Sequence, residues 1–170
     1  MKKTILICLN IALAVCLLSF QANSATEGKF KYTVTDGKAQ ITEYTGFATE
    51  LTIPSTLGGY PVTAIGDDAF DYCRSLTSVT IPDSVTTIGD RAFYVCSSLT
   101  SIIIPDSVTT IGDRAFYRCS GLTSVTIGNG VSSIGSNAFY DCNSLTGVYI
   151  TDIAGWCGIS FSNYAANPLY

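Results

Sequence analysis

Hydrophobic residues recur along this chain with a period of 23 residues. Each column of the repeat holds one residue type: leucine at Leu76, Leu99, Leu122 and Leu145; isoleucine at Ile65, Ile88, Ile111 and Ile134; phenylalanine at Phe70, Phe93, Phe116 and Phe139; cysteine at Cys73, Cys96, Cys119 and Cys142. Residues 75–97 and 98–120 differ at only three positions. A fixed period of this length indicates a solenoid, because a single unit cannot bury its apolar face without neighbours.

The first part of each unit has the pattern of a β-strand. Val79 and Ile81 alternate with Ser78 and Thr80, which is the period of two expected of a strand with one buried face. Pro82 lacks a backbone N–H and ends the strand, and the residues after it favour a turn. The repeat therefore predicts one parallel strand per unit, with serine and threonine side chains facing outward.

The second part of each unit predicts a short helical turn. Gly89 recurs in every full unit, which indicates a position where a Cβ would obstruct a close approach of the backbone. We interpret the column that follows it, Asp67, Asp90 and Asp113, as N-caps of helical turns that hold alanine and phenylalanine against the core. Calcium binding by the stacked carboxylates is the alternative interpretation.

Residues 76–96 carry the motif Leu-x-x-Val-x-Ile-Pro-x-x-Val-x-x-Ile-Gly-x-x-Ala-Phe-x-x-Cys. This motif resembles the BspA-like leucine-rich repeats of bacterial secreted and surface proteins, and the resemblance extends over about residues 30–170. It implies a leucine-rich-repeat solenoid with a parallel β-sheet on the concave side and short helical turns and loops on the convex side. It also implies adhesion to host matrix proteins, host cell-surface proteins or other cells.

The N-terminal end departs from the repeat. Phe30, Tyr32 and Val34 alternate with polar residues, and Asp36-Gly37 follows as a turn, which together predict a β-hairpin. We expect residues 25–47 to form an N-terminal β-hairpin cap. The repeats then occupy residues 48–150, starting with a strand from Ala48 to Pro54, and the first repeat contains five extra residues at positions 57–61.

The C-terminal segment, residues 151–170, is either a degenerate repeat or a C-terminal cap, and a truncated array is the alternative. Continuing the period places Cys157 in the isoleucine column and Gly158 in the glycine column. The apolar side chains beyond that point are expected to fold back over the end of the core; they are Trp156, Phe161, Tyr164 and Leu169.

Residues 1–24 have the features of a secretory signal peptide. Lys2 and Lys3 precede an apolar run, and Ala22 and Ser24 supply small residues before a cleavage site at Ala25. A retained membrane anchor and a lipoprotein modified at Cys16 are the alternatives. Removal of the two lysines leaves seven basic against thirteen acidic side chains, a net charge of −6. We therefore expect a secreted or cell-surface protein that does not bind nucleic acid.

The composition argues against catalysis and metal binding. The chain has no histidine, which removes catalytic triads, Cys–His nucleophiles and the usual zinc sites. We therefore expect no enzyme activity, no cofactor and no metal. The cysteine column is interpreted as free thiols in the core, with Cys73–Cys96 and Cys119–Cys142 disulfides as the alternative.

The outward strand positions are where a ligand is expected to bind. The residues predicted to contact it are Thr77, Ser78, Thr80, Thr100, Ser101, Ile103, Thr123, Ser124, Thr126 and Tyr149. Ile103 and Tyr149 are the strongest candidates, because they place apolar surface in otherwise polar columns. The sequence therefore predicts an extracellular binding protein of adhesin type. The alternatives are a repeat-array spacer without its own ligand and an ice-binding surface made by the threonine columns.

Overall fold

Two β-sheets, parallel within the repeats, wind around one hydrophobic core in the computed structural model, which describes residues 23–169. The elements in chain order are β1 (Asn23–Glu27), β2 (Phe30–Thr35), β3 (Lys38–Tyr44), β4 (Glu50–Thr52), β5 (Thr56–Leu57), β6 (Tyr60–Ile65), β7 (Ser78–Thr80), β8 (Thr87–Ile88), β9 (Ser101–Ile104), β10 (Thr110–Ile111), β11 (Ser124–Ile127), β12 (Ser133–Ile134), β13 (Gly147–Ile150), α1 (Ile153–Gly158), β14 (Ser160–Phe161) and a 3₁₀ helix (Tyr164–Ala166). The predicted solenoid is confirmed.

The first sheet is the one that the alternating pattern predicts. Its strand order is β4-β7-β9-β11-β13, all parallel, and the register pairs residues one period apart. Val79 pairs with Ile102, which is buried in the core, and Ser78 pairs with Ser101 on the outward face. The first repeat strand is shorter than the predicted Ala48–Pro54, because only Glu50–Thr52 enter the ladder.

A second sheet lies where the sequence predicted turns. Its order is β1-β2-β3-β6-β8-β10-β12-β14, and β8, β10 and β12 are only two residues long. Ile88 is fully buried, and Gly89 donates from its backbone N–H to the carbonyl of Ile65 at 2.8 Å. Runs of two residues are too short for an alternating pattern to detect. The core therefore lies between two sheets rather than behind one.

The predicted helical turns are wrong. Residues 89–99 form a chain of four-residue turns, closed for example by Tyr94 N–H to the carbonyl of Arg91 at 2.9 Å. Arg91 and Val95 have φ values of 54° and 56°, which breaks a right-handed helix twice. Backbone hydrogen bonds to the next coil replace helical ones, as in Phe93 N–H to the carbonyl of Ala115 at 2.7 Å.

The phenylalanine column forms a stack that runs along the solenoid. The rings of Phe70 and Phe93 lie 5.0 Å apart between centroids, and Phe93 and Phe116 lie 5.3 Å apart, both nearly parallel. Phe116 and Phe139 continue the stack at 5.2 Å, and Tyr44 of β3 covers its N-terminal end at 5.4 Å from Phe70. The stack joins all repeats and the N-terminal hairpin into one core.

The predicted N-terminal hairpin is confirmed. Strands β2 and β3 pair antiparallel around Asp36 and Gly37, whose φ values of 51° and 71° fit the Asp-Gly turn. Strand β1, which pairs antiparallel with β2, was not predicted from the sequence. The extra residues of the first repeat form the β5–β6 hairpin, and the Glu27 carboxylate accepts a hydrogen bond from the Gly58 N–H at 2.6 Å.

The C-terminal register differs from the predicted one. Phe161 pairs with Ile134, so Phe161 rather than Cys157 occupies the isoleucine column, and Ser162 rather than Gly158 follows it. Helix α1 adds residues to the last coil and causes this shift. Trp156 packs against Phe161 at 5.3 Å as expected.

The other two expected cap residues do not cover the core. Tyr164 and Leu169 are exposed, and Ala165 and Ala166 are buried instead. Of the predicted signal peptide, residues 1–22 lie outside the described residues, and Asn23 and Ser24 belong to β1. No helix within residues 23–169 is long and apolar enough to cross a membrane.

Candidate binding surfaces

The ten predicted contact residues lie on or beside the outward face of the five-stranded sheet. Three columns run across the strands: Thr77, Thr100 and Thr123; Ser78, Ser101, Ser124 and Gly147; Thr80, Ile103, Thr126 and Tyr149. We call the last two columns, together with Glu50 and Thr52 of β4, the outward face. The structure thus brings the predicted residues together in rows spaced by one strand.

The threonine column has a structural role. The Thr77 hydroxyl donates to the backbone carbonyl of Thr49 at 2.8 Å, and Thr100 and Thr123 each donate to the threonine one coil earlier at 3.0 Å and 2.9 Å. These hydroxyls extend the backbone ladder beyond the end of each strand. They are consequently less available to a ligand than the sequence alone suggested.

The hydroxyls of the other two columns are available. Within residues 23–169, the side chains of Ser101, Ser124 and Thr126 make no hydrogen bond to the protein, and the same holds for Ser78 and Thr80. All five are at least partly exposed. Each hydroxyl can donate one hydrogen bond and accept two. The outward face therefore offers a set of free polar groups on a rigid sheet.

Ile103 and Tyr149 are the apolar residues of the outward face. Their side chains are 65% and 60% exposed, whereas Thr126 between them is half-buried. Ile103 borders a pocket of about 160 Å³ that is also lined by Thr80 and Pro105. Three strand intervals separate Thr80 from Tyr149, a distance of about 14 Å.

Tyr149 lies along its own strand, above Gly147. A Cβ built on Gly147 would lie 3.0 Å from Cε2 of Tyr149 and 3.3 Å from its hydroxyl oxygen. The three earlier coils have serine in the glycine position, and none of them has an aromatic residue two positions later. The missing side chain therefore makes room for the edge of the ring, and the Tyr149 side chain is 60% exposed.

The outward face is almost uncharged. Glu50 on β4 is the one ionisable side chain with a charge in its two columns, and it lies four strands from Tyr149, about 19 Å away. The surroundings of Tyr149 are thus neutral and rich in hydroxyl groups.

A second surface, at the turns between the two sheets, was not predicted. Tyr94, Tyr117 and Tyr140 stack at 5.1 and 5.5 Å, and Tyr72 contacts Tyr94 edge-on at 5.6 Å. The 23-residue spacing of three of these tyrosines is visible in the sequence and could have revealed the ladder. Its environment could not be predicted, because it depends on how the turns pack.

Phe47 lies beside this tyrosine ladder and is 90% exposed. It borders a cleft of about 340 Å³ together with Tyr44, Tyr72 and Arg74. The Arg74 guanidinium lies 5.2 Å from the centre of the Tyr72 ring. No sequence signal separates Phe47 from the buried phenylalanines, since it lies 23 residues before Phe70 and so matches the period of their column.

The aspartate column does not cap helices. Asp67 Oδ1 accepts a hydrogen bond from the backbone N–H of Asp90 at 2.9 Å, and Asp113 Oδ1 accepts one from Ser136 at 2.6 Å. Each carboxylate therefore bridges to the next coil, and Arg91 neutralises Asp68 at 2.9 Å. Within residues 23–169, no group of three or more acidic or cysteine side chains is arranged to hold a metal ion.

The cysteine column consists of free thiols, most of them buried. The Cys96 thiol donates a hydrogen bond to the backbone carbonyl of Phe70 at 3.1 Å, and Cys119 and Cys142 make the equivalent contact in the next two coils. Burial, assisted by Cys96 and Asp71, raises the pKa of the half-buried Cys73 thiol to about 12. The Cys73 thiol is therefore protonated at neutral pH and lacks nucleophilic character.

Stacked coils with a leucine column, two parallel sheets and little helix define a leucine-rich-repeat solenoid. The BspA type Leucine rich repeat region matches residues 40–164 in 6 copies. The chain belongs to this family.

Solved structures of bacterial leucine-rich-repeat proteins are similar to this chain. A leucine rich cell surface protein from Faecalibacterium prausnitzii is 36% identical, with a TM-score of 0.62 over 78% of this chain and 44% of its own. A leucine-rich repeat protein from Bacteroides capillosus is 33% identical, with a TM-score of 0.68 over 76% of this chain and 99% of its own. One from Bacteroides ovatus is 30% identical, with a TM-score of 0.65 over 74% of this chain and 40% of its own.

This chain thus spans less than half of two of these proteins and nearly all of the third. No curated protein matches the sequence. The shared family and fold suggest a repeat protein involved in binding other proteins, and the family's architecture is typically non-enzymatic.

Proposed function

We propose that this protein is an extracellular or cell-surface binding protein of adhesin type, which recognises host matrix proteins or other cells through the outward face of its five-stranded sheet. The observation that carries the proposal is the exposure of Ile103 and Tyr149 on that face. Exposure of a large apolar side chain to water is unfavourable in the free protein, and a partner that covers the side chain removes this cost.

The expected location outside the cell supports the proposal. Residues 1–24 have the pattern of a secretory signal peptide, and a similar structure belongs to a protein described as a cell surface protein. The absence of histidine supports a non-catalytic role. The outward face lacks clustered lysine and arginine, so polyanions such as nucleic acid are poor ligands for it.

The test is adhesion of the mature chain, starting at Ala25 and coupled to beads, to surfaces coated with fibronectin, fibrinogen, mucin or whole bacteria. The informative variant replaces Ile103 and Tyr149 by threonine, the residue that Thr80 and Thr126 supply in the same column. We expect bead retention on at least one surface and a loss of about tenfold or more in the double variant.

A matched control is Phe47→Ser, which removes an exposed aromatic ring that is not part of the outward face. Retention that falls with Phe47→Ser and not with the double variant would place binding at the tyrosine ladder instead. Beads that adhere to none of these surfaces would favour the alternative function, a spacer without a ligand.

A further inference from the structure

The inference concerns what the outward face binds, and it rests on the proposed function. The last coil differs from the others at two positions of this face, and the two differences are linked. Gly147 replaces serine, and Tyr149 occupies the space above it. A serine at position 147 would place its Cβ 3.0 Å from the ring, before its hydroxyl is counted.

The result is an aromatic platform. The Cε2 edge and the hydroxyl of Tyr149 lie against Gly147, and the side chain is 60% exposed to solvent. An exposed tyrosine ring makes contacts over a wide area at low cost in side-chain entropy. It suits a ligand with a flat face made of C–H groups.

Free hydroxyls surround the platform. Thr126 pairs with Tyr149 on the neighbouring strand, Ser124 pairs with Gly147, and Ser101 follows one strand further. None of the three hydroxyls bonds to the described part of the chain. They can donate to and accept from the hydroxyl groups of a ligand that lies across the strands.

The size and charge of the face select the ligand class. Five strands spaced by about 4.8 Å, each three or four residues long, give a face of roughly 250 Å², about a third of the ~800 Å² that a standard protein interface buries on each partner. No cation lies in its two columns to pair with an acidic group, and the mature chain carries a net charge of −6. A small, neutral, polyhydroxylated ligand fits both limits better than a folded protein surface.

We propose that the outward face binds neutral glycans, with the face of one sugar ring stacked on Tyr149 and its hydroxyls bonded to Ser124 and Thr126. The ligand class is thus the neutral oligosaccharides that host glycoproteins and cell surfaces display. Because each contact area is small, many copies must act together to give firm attachment.

The experiment uses the mature chain coupled to beads and probed on an array of neutral mannose-, galactose- and N-acetylglucosamine-containing oligosaccharides, with sialylated and sulfated versions of each. Mucin and fibronectin before and after enzymatic deglycosylation provide the macromolecular probes. We expect binding to neutral members, at least about tenfold weaker binding to sialylated and sulfated ones, and loss of mucin binding after deglycosylation.

Three variants localise the effect. Gly147→Ser should displace the ring and reduce binding about tenfold, while circular dichroism and melting stay unchanged because serine is the residue that the other coils use. Tyr149→Phe should retain binding within about threefold, since the ring remains. Tyr164→Ala removes an exposed tyrosine outside the face and should bind like the unmodified chain.

Each outcome decides between the two proposals. Binding to mucin or fibronectin that survives deglycosylation would overturn the glycan inference and leave the adhesin function in place. Glycan binding that is equal in the unmodified chain and in Gly147→Ser would overturn the assignment to Tyr149. Failure to bind any glycan or any glycoprotein would overturn both.

Discussion

Asp90 accepts, through Oδ1, a hydrogen bond at 2.8 Å from the backbone N–H of Asp113, its counterpart one coil later. The approach is close because Gly112 lacks a side chain: a Cβ there would lie 2.5 Å from the same oxygen. The glycine and aspartate columns are therefore two parts of one joint between coils, repeated along the array.

Asp90→Ala removes this acceptor and should lower the free energy of unfolding by about 1 kcal/mol, the net value of one hydrogen bond. Asp90→Asn retains an oxygen in the same position and should lose less. Chemical denaturation monitored by circular dichroism measures both. Asp83→Ala, at an exposed aspartate of the same repeat, is the control. Equal losses in all three variants would show that the joint adds nothing to stability.

Phe93→Ala should destabilise the protein by about 3–5 kcal/mol, because its fully buried ring stacks on both Phe70 and Phe116. Phe47→Ala removes the same ring from a position that is 90% exposed, and it should change stability by less than about 0.5 kcal/mol. Denaturation midpoints compare the two. Similar midpoints for both variants would contradict the stacked core.

The cysteines should react with a thiol reagent in the order of their exposure. Cys157 is exposed and should be labelled by iodoacetamide in the native protein, whereas the buried Cys96, Cys119 and Cys142 should react only after unfolding. Peptide mass spectrometry identifies the labelled positions. Rapid native labelling of the buried three would mean that the coils open readily.

The Cys73 thiol makes the stability of the folded protein depend on pH in the alkaline range. Its pKa in the folded protein, about 12, lies above the ordinary value of 9.0, so the folded state holds the proton more tightly than the unfolded state. This contribution is complete below about pH 9 and is lost as the pH rises towards 12. Denaturation midpoints should therefore fall less steeply above pH 9 in Cys73→Ala than in the unmodified protein. Parallel slopes for the two proteins would contradict the raised pKa.

The signal peptide prediction is tested by the mass of the exported protein, which should begin near Ala25. A chain starting there keeps Glu27 and its hydrogen bond to Gly58, so β1 stays attached to the N-terminal cap. A chain starting at Gly28 loses that bond and should melt at a lower temperature. Recovery of uncleaved precursor from the membrane, or of lipid on Cys16, would contradict the prediction of a cleaved signal peptide.

Binding by a single copy should be weak. A face of roughly 250 Å² supports dissociation constants in the micromolar range or above, since the area and the apolar surface that it can bury are both small. Calorimetry with monomeric protein and monovalent ligand measures this, and the bead format serves as the multivalent comparison. Nanomolar affinity in calorimetry would require a further contact surface, such as the cleft beside Phe47.

The repeat and its columns could be predicted from the sequence. A period of 23 residues fixes which side chains share a column, and the alternation around Val79 fixes which of them face the core. Asp36-Gly37 identified the hairpin, because few residues accept the left-handed conformation that its turn needs. These features depend on neighbours in the chain or on exact repetition, and both are visible in the amino-acid sequence.

Other features were decided by the tertiary structure. The partner of Asp90 lies 23 residues away, and the backbone N–H that it binds is presented only when two coils pack. The strand Thr87–Ile88 exists because its neighbours supply the ladder, since two residues have no strand pattern of their own. Phe161 replaced Cys157 in the last coil because α1 takes up residues between two strands whose pairing is set by the core.

Some features of the candidate site could likewise be predicted from the sequence, and others were decided by the tertiary structure. The sequence by itself placed Ile103 and Tyr149 among outward positions, because a strand alternates its faces regardless of what surrounds it. That the threonine hydroxyls are bound to carbonyls, and that the Tyr149 ring lies above Gly147, required the structure. A side chain's direction and its free hydrogen-bonding groups depend on atoms of adjacent coils, which packing alone brings into contact.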